Sequence, residues 1–153
     1  MLQMRYWDKL THAVINTLKD SCVGQIDWIE LLGWGEDQIE DVRFAGYSFL
    51  KQGHYKQALK FFEVLALLSR ENIYDLQTLG ALYLQEGNNL SALNYFERAL
   101  KLDRLHEPTL LNRAKALFLL GYKRQGLAQS KNLEKSSDIY IANQARALTL
   151  AYS

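Results

Sequence analysis

Three glycines constrain this chain more than any other feature. Gly53, Gly87 and Gly121 stand 34 residues apart, and each closes an apolar-periodic stretch: VRFAGYSFLKQG, LQTLGALYLQEG and LLNRAKALFLLG. Glycine just past an apolar helix can take the left-handed conformation that terminates it. The three positions therefore mark helix ends at a fixed period. One proline and nine glycines in 153 residues leave no turn clusters at the spacing of about 8–12 residues that a chain of short strands needs. The expected class is all-α, and a period of about 34 residues is the length of one helix–turn–helix unit.

The period can be checked position by position with repeats at 39–72, 73–106 and 107–140. Position 8 is small in each (Gly46, Gly80, Ala114), and so is position 20 (Ala58, Ala92, Gly126). Small side chains there let the two helices of a unit approach closely. Position 11 is Phe49, Tyr83 and Leu117, and position 24 is Phe62, Phe96 and Ser130. At position 27 Ala99 is small, while Leu65 and Leu133 depart. The second unit fits best. The third reads as degraded in its second helix, because Gly126 lowers helix propensity by roughly 1 kcal/mol relative to alanine.

What remains flanks the repeats. Residues 1–38 are expected to form a helical leader, with Met4, Trp7, Leu10, Val14 and Leu18 at amphipathic spacing and a short second helix through DWIELLGW. Residues 141–153 end a capping helix over the last repeat, its apolar stripe read as Ile139, Ala142, Ala145, Leu148 and Ala151.

Several function classes find no support in the composition. The net charge is +1, with 18 basic and 17 acidic residues, which gives no general attraction to nucleic acid or anionic membranes. No apolar run reaches the 18 or so residues of a spanning helix, and MLQMRYWDKLTHAVINTL lacks the continuous apolar core of a secretory signal. Cys22, the single cysteine, can form neither a disulfide framework nor a paired zinc site. His12, His54 and His106 are far apart and unpaired in spacing, so no metal or other cofactor is expected. Gly33-Trp34-Gly35 matches no phosphate-binding loop and reads as a turn. Asp37, Glu40 and Asp41 suit the start of a helix, where the macrodipole favours anions. No catalytic constellation is present, and the chain is expected to be a non-enzymatic cytoplasmic protein.

Two stretches carry a family resemblance: AGYSFLKQGHYKQALKFFEVLALLS and EPTLLNRAKALFLLG. With three repeats between an amphipathic leader and a cap, the chain resembles the small tetratricopeptide chaperones of bacterial type III secretion systems. The resemblance implies a chaperone that holds a secretion substrate (translocator, needle subunit or gatekeeper) before export. The N-terminal helix either mediates a homodimer or co-chaperone contact or caps the first repeat. The other reading is a general tetratricopeptide scaffold joining folded proteins.

The repeat register places the binding surface. In stacked helix pairs the first helices line the concave side, with positions 2, 5, 9 and 12 facing the groove. Those are Glu40, Arg43, Tyr47 and Leu50; Tyr74, Gln77, Ala81 and Leu84; Pro108, Leu111, Lys115 and Phe118. The apolar members Tyr47, Leu50, Tyr74, Leu84, Leu111 and Phe118 are the candidate client contacts, unless the leader or the cap covers them. Charge is polarised, with 8 basic and 13 acidic residues in 1–97 and 10 basic and 4 acidic in 98–153. Arg98, Lys101, Arg104, Lys123, Arg124, Lys131 and Lys135 fall on the second helices, where a solvated outer face accounts for them. No basic strand interleaved with aromatics suggests RNA binding.

Overall fold

The glycine period reappears as backbone conformation. In the computed structural model, which describes residues 32–68 and 72–153, Gly53, Gly87 and Gly121 have φ of 77°, 80° and 84°. Each follows a helix and closes it with the same two hydrogen bonds. The His54 N–H donates to the Phe49 carbonyl (2.9 Å) and the Gly53 N–H to that of Leu50 (3.0 Å). Asn88 and Gly87 donate likewise to Tyr83 and Leu84, and Tyr122 and Gly121 to Leu117 and Phe118. This is the paired closure that a left-handed residue allows at a helix end.

Seven helices result among the described residues: α1 Glu36–Lys51, α2 Tyr55–Leu68, α3 Ile73–Gln85, α4 Asn89–Leu102, α5 Glu107–Leu119, α6 Lys123–Leu133 and α7 Ile139–Tyr152. No strand occurs among the described residues. Side-chain caps fix several starts. Asn72 Oδ1 accepts from the N–H groups of Tyr74 (2.9 Å) and Asp75 (3.2 Å), and Asp138 Oδ1 from Tyr140 (2.8 Å) and Ile141 (3.2 Å). The first helix starts at Glu36, ahead of the Ile39 repeat boundary, because Gln38 Oε1 accepts the Gly35 N–H at 2.7 Å and holds an earlier cap. The leader stripe, Cys22 and His12 lie outside the described residues.

Length alone suggests one domain, yet the chain divides into two compact units, Met1–Arg70 and Glu71–Ser153. Repeats touch only their neighbours, so an array of helix pairs need not share one continuous core. In the first unit α1 packs on α2; in the second, α3 to α7 pack in succession.

Within each of the first two helix pairs a phenylalanine of the second helix lies on a glycine of the first. A β-carbon on Gly80 would fall 2.5 Å from Phe96 Cε1, and one on Gly46 would fall 3.2 Å from Phe62 Cε2. The third pair keeps this kind of contact with the roles exchanged. The ring of Phe118 on α5 lies on Gly126 of α6, whose β-carbon would stand 2.7 Å from Phe118 Cε1. Gly126 is thus a site of close approach rather than a sign of decay, a correction to its reading as a mere loss of helix propensity. Ser130, in the place of Phe62 and Phe96, is fully buried and its hydroxyl has no hydrogen-bond partner. A polar clasp joins three helices: Arg113 donates from Nε to Glu97 Oε1 and from Nη1 to Gln129 Oε1, both at 2.6 Å.

The capping helix is rotated from expectation. Ile141, Ala142 and Ala145 are buried and Leu148 and Tyr152 half-buried, while Ile139 and Ala151 are exposed. A stripe repeating every three residues slips about 60° per step around a helix of 3.6 residues per turn. The buried line instead follows residues 141, 145, 148 and 152, the spacing that keeps to one face.

The left-handed caps give a direct expectation. Nothing lies within 4 Å of where a Gly87 β-carbon would be, so Gly87→Ala should cost only the backbone penalty, about 1–2 kcal/mol, in a urea titration. Gly87→Asn should cost less, since asparagine tolerates that region. Equal midpoints for all three proteins would mean the cap is not held.

Candidate functional site

The described face with candidate binding groups belongs to the second unit. There α3 touches α5 and α5 touches α7, whereas α4 and α6 do not meet. First helices that approach each other while second helices spread apart bend the stack, leaving α3, α5 and α7 on its inner side.

Tyr74 and Leu84 stay accessible on α3. Tyr74 is 61% exposed in the first turn. Its ring meets His106 edge-on, with centroids 5.7 Å apart. His106 is itself fixed by a 2.7 Å hydrogen bond between its Nδ1 and Oγ1 of the fully buried Thr109. Leu84, half-buried, rests on Ala92, Phe96 and Ala116. Between them along the helix lie half-buried Gln77 and Ala81, and α5 adds exposed Pro108 and half-buried Lys115. Burial lowers the Lys115 ammonium below lysine's usual range, since removal from water disfavours the charged form.

Leu111 and Phe118 stand differently, because α7 covers them. Leu111 is 3% exposed and packs with Leu133, Ile141 and Ala145. Phe118 is 6% exposed. Tyr152 stacks on its ring, with centroids 4.0 Å apart and planes within 6°. Both belong to the packing that joins α7 to the last pair, so neither lies open on the inner face as the register alone suggests. In the first unit Tyr47 and Leu50 are half-buried, with Tyr47 edge-on to Phe62 at 5.0 Å.

Tyr152 is the residue that sequence reading missed. The signal was available, since Leu50, Leu84, Phe118 and Tyr152 form one column at intervals of 34. A register that ends at residue 140 leaves this fourth member out.

Elsewhere the surface mixes exposed cations with exposed apolar side chains such as Phe44, Leu90 and Leu105. Lys101, Lys123, Arg124 and Lys131 are exposed, Arg98 lies 5.3 Å from the Tyr95 ring centroid, and Arg104 and Lys135 fall beyond the ends of α4 and α6. Among the described residues no group of three potential metal ligands occurs, and no helix is long and apolar enough to cross a membrane.

No family model matches the chain, and no curated protein matches it in sequence. Solved structures do. PcrH of Pseudomonas aeruginosa, in complex with the chaperone-binding region of PopD, superposes with a TM-score of 0.68 at 22% identity, covering 78% of this chain and 94% of that one. The Yersinia enterocolitica type III secretion translocator chaperone SycD gives 0.70 at 17% identity over 81% and 90%. The first tetratricopeptide domain of Spaghetti (RPAP3), bound to an HSP90 peptide, gives 0.66 at 18% over 76% and 94%. The chain has the tetratricopeptide-type helical-repeat fold that translocator chaperones and peptide-binding adaptor domains share.

Proposed function

We propose that this chain is a non-enzymatic chaperone that holds a type III secretion substrate, a translocator or related exported protein, in the cytoplasm before export. The observation that carries the reading is the uncovered apolar surface of α3. Tyr74 is largely exposed, and Leu84 is within reach of solvent on a face already anchored to the core beneath. An aromatic and an aliphatic group held on rigid helices can take apolar side chains of an extended or helical segment with little ordering cost of their own. The same fold in PcrH and SycD accompanies translocator segments in their complexes, which supports carrying that class of partner over.

The test is co-purification with candidate translocators, followed by binding measurements on Tyr74→Ala and Leu84→Ala. Full burial of such a side chain contributes roughly 1.5–3 kcal/mol, so each truncation should weaken binding about tenfold to hundredfold. Tyr74→Ala should leave the melting temperature nearly unchanged, while Leu84→Ala should lower it somewhat, because Leu84 also touches the Phe96 cluster. Lys101→Glu and Lys131→Glu alter exposed outer cations and should bind normally. Client binding lost in those two but kept in Tyr74→Ala would move the site off α3.

A second reading, an adaptor for acidic peptides, draws on one feature. Lys115 is the only charged group among the inner-face candidates of α3 and α5, and the RPAP3 domain above holds the acidic peptide SRMEEVD. Binding that collapses with added salt and with Lys115→Met, but survives Tyr74→Ala, would favour it.

A further inference from the structure

Lys115 is a cation without an acceptor. It is half-buried on the inner side of α5, and no carboxylate, carbonyl or hydroxyl among the described residues takes a hydrogen bond from its ammonium. Its neighbours on the same face of α5, four residues before and three after, are the buried Leu111 and Phe118. One repeat period back stands Ala81 on α3, and one period on stands Thr149 on α7. Both of those helices touch α5. The Thr149 hydroxyl is already committed to the Ala145 carbonyl at 3.1 Å.

Acids of the same unit are engaged elsewhere. Glu97 Oε1 accepts from Arg113 Nε at 2.6 Å, Glu107 Oε2 accepts from the Ser136 hydroxyl at 2.5 Å, and Asp138 caps α7. An ammonium drawn partly out of water and left without a counter-charge works against the fold that holds it. A methionine of similar length would fill the same place without that cost. The charge at residue 115 therefore adds nothing to packing.

We propose that Lys115 selects the bound segment by pairing with a carboxylate that the segment carries between two apolar side chains. The inference rests on the chaperone reading, in which Tyr74 and Leu84 take those apolar side chains. It differs from an adaptor for acidic peptides in calling for one acid in an apolar setting, not a run of acids. A partly desolvated ammonium rewards a carboxylate more than an exposed one does, and it rejects a second cation.

Register gives the spacing. Lys115 stands at position 9 of its repeat, Tyr74 at position 2 and Leu84 at position 12. With a rise of about 1.5 Å per residue, its level lies about 10 Å beyond Tyr74 and about 4.5 Å short of Leu84. An extended segment lying along α3 advances about 3.3 Å per residue. The acid then falls about three residues from the side chain seated on Tyr74 and one or two from the side chain seated on Leu84.

Selection from a displayed library of random twelve-residue peptides, on the immobilised full chain, tests this. The wild type should enrich peptides with one Asp or Glu between two large apolar residues at that spacing. Lys115→Met should enrich the apolar pair with no charge preference between them, and Lys115→Glu should enrich Lys or Arg there. Changing the acid of one selected peptide to its amide should weaken binding to the wild type about tenfold to hundredfold, the effect of losing a charge-assisted hydrogen bond. The same change should leave binding to Lys115→Met unaltered. In a urea titration Lys115→Met should be more stable than the wild type, the opposite of what a lysine that holds the fold would give. Apolar pairs enriched on the wild type with no acid between them overturn the role of Lys115 and leave the chaperone reading standing. An acid preference that persists on Lys115→Met also overturns it. Acid-bearing peptides that bind Tyr74→Ala and Leu84→Ala as tightly as the wild type overturn both, as does a failure to enrich any peptide.

Discussion

Phe96→Ala is expected to remove about 3–5 kcal/mol of stability, the largest single loss in the second unit. The ring is fully buried, and its edge lies against the backbone at Gly80, packed with Ala92 and Ala116. Gly80→Leu should destabilise by about 1–3 kcal/mol or more, since even its β-carbon falls 2.5 Å from Phe96 Cε1. The two defects are opposite, a void and an excess. Combining them in one chain should therefore cost clearly less than the sum, and a double-mutant cycle by chemical denaturation measures the difference. Strict additivity would mean that ring and glycine do not share one space.

Phe118→Ala is the second large effect, and it separates a core residue from a groove residue. A groove residue could be truncated with the fold intact. Phe118 instead lies between Gly126 and the Tyr152 ring, so alanine should cost about 3–5 kcal/mol. Tyr152→Ala should cost less, because Tyr152 is only half-buried, yet it should lower the same thermal transition. Near-ultraviolet circular dichroism should report the loss of the stacked pair in both variants. A Phe118→Ala protein with wild-type stability would return Phe118 to the binding surface.

The helical class and the period were legible because they are local and repeated. A left-handed glycine after an apolar run leaves its mark in sequence three times over. The inner-face positions were legible only in part. Register gives the direction of a side chain from its helix, so Tyr74 and Leu84 could be placed from α3 alone. Whether something covers a residue depends on another element. Leu111 and Phe118 point inward as read, but α7 lies over them, and the rotation of α7 depends on three-dimensional packing against α5 and α6. The Gly126 reading failed for a similar reason. Helix propensity is a cost of about 1 kcal/mol, and it is outweighed where the absence of a β-carbon lets a phenyl ring sit against the backbone.

The exchange of ring and glycine in the third pair makes its neighbouring positions interdependent. In the second pair, Gly80 and Phe96 occupy the places that Ala114 and Ser130 hold in the third. Ser130→Phe alone would bring a ring against the Ala114 β-carbon, in the space that Gly80 leaves empty for Phe96. Ala114→Gly alone would open a void beside a serine already lacking a hydrogen-bond partner. Neither single step is neutral, and even the pair would leave Phe118 on Gly126 where the second repeat carries Leu84 and Ala92. Divergence between repeats is therefore held in place by a barrier between two acceptable solutions. A third repeat of this kind, once formed, drifts back toward the second only by several substitutions that arrive together.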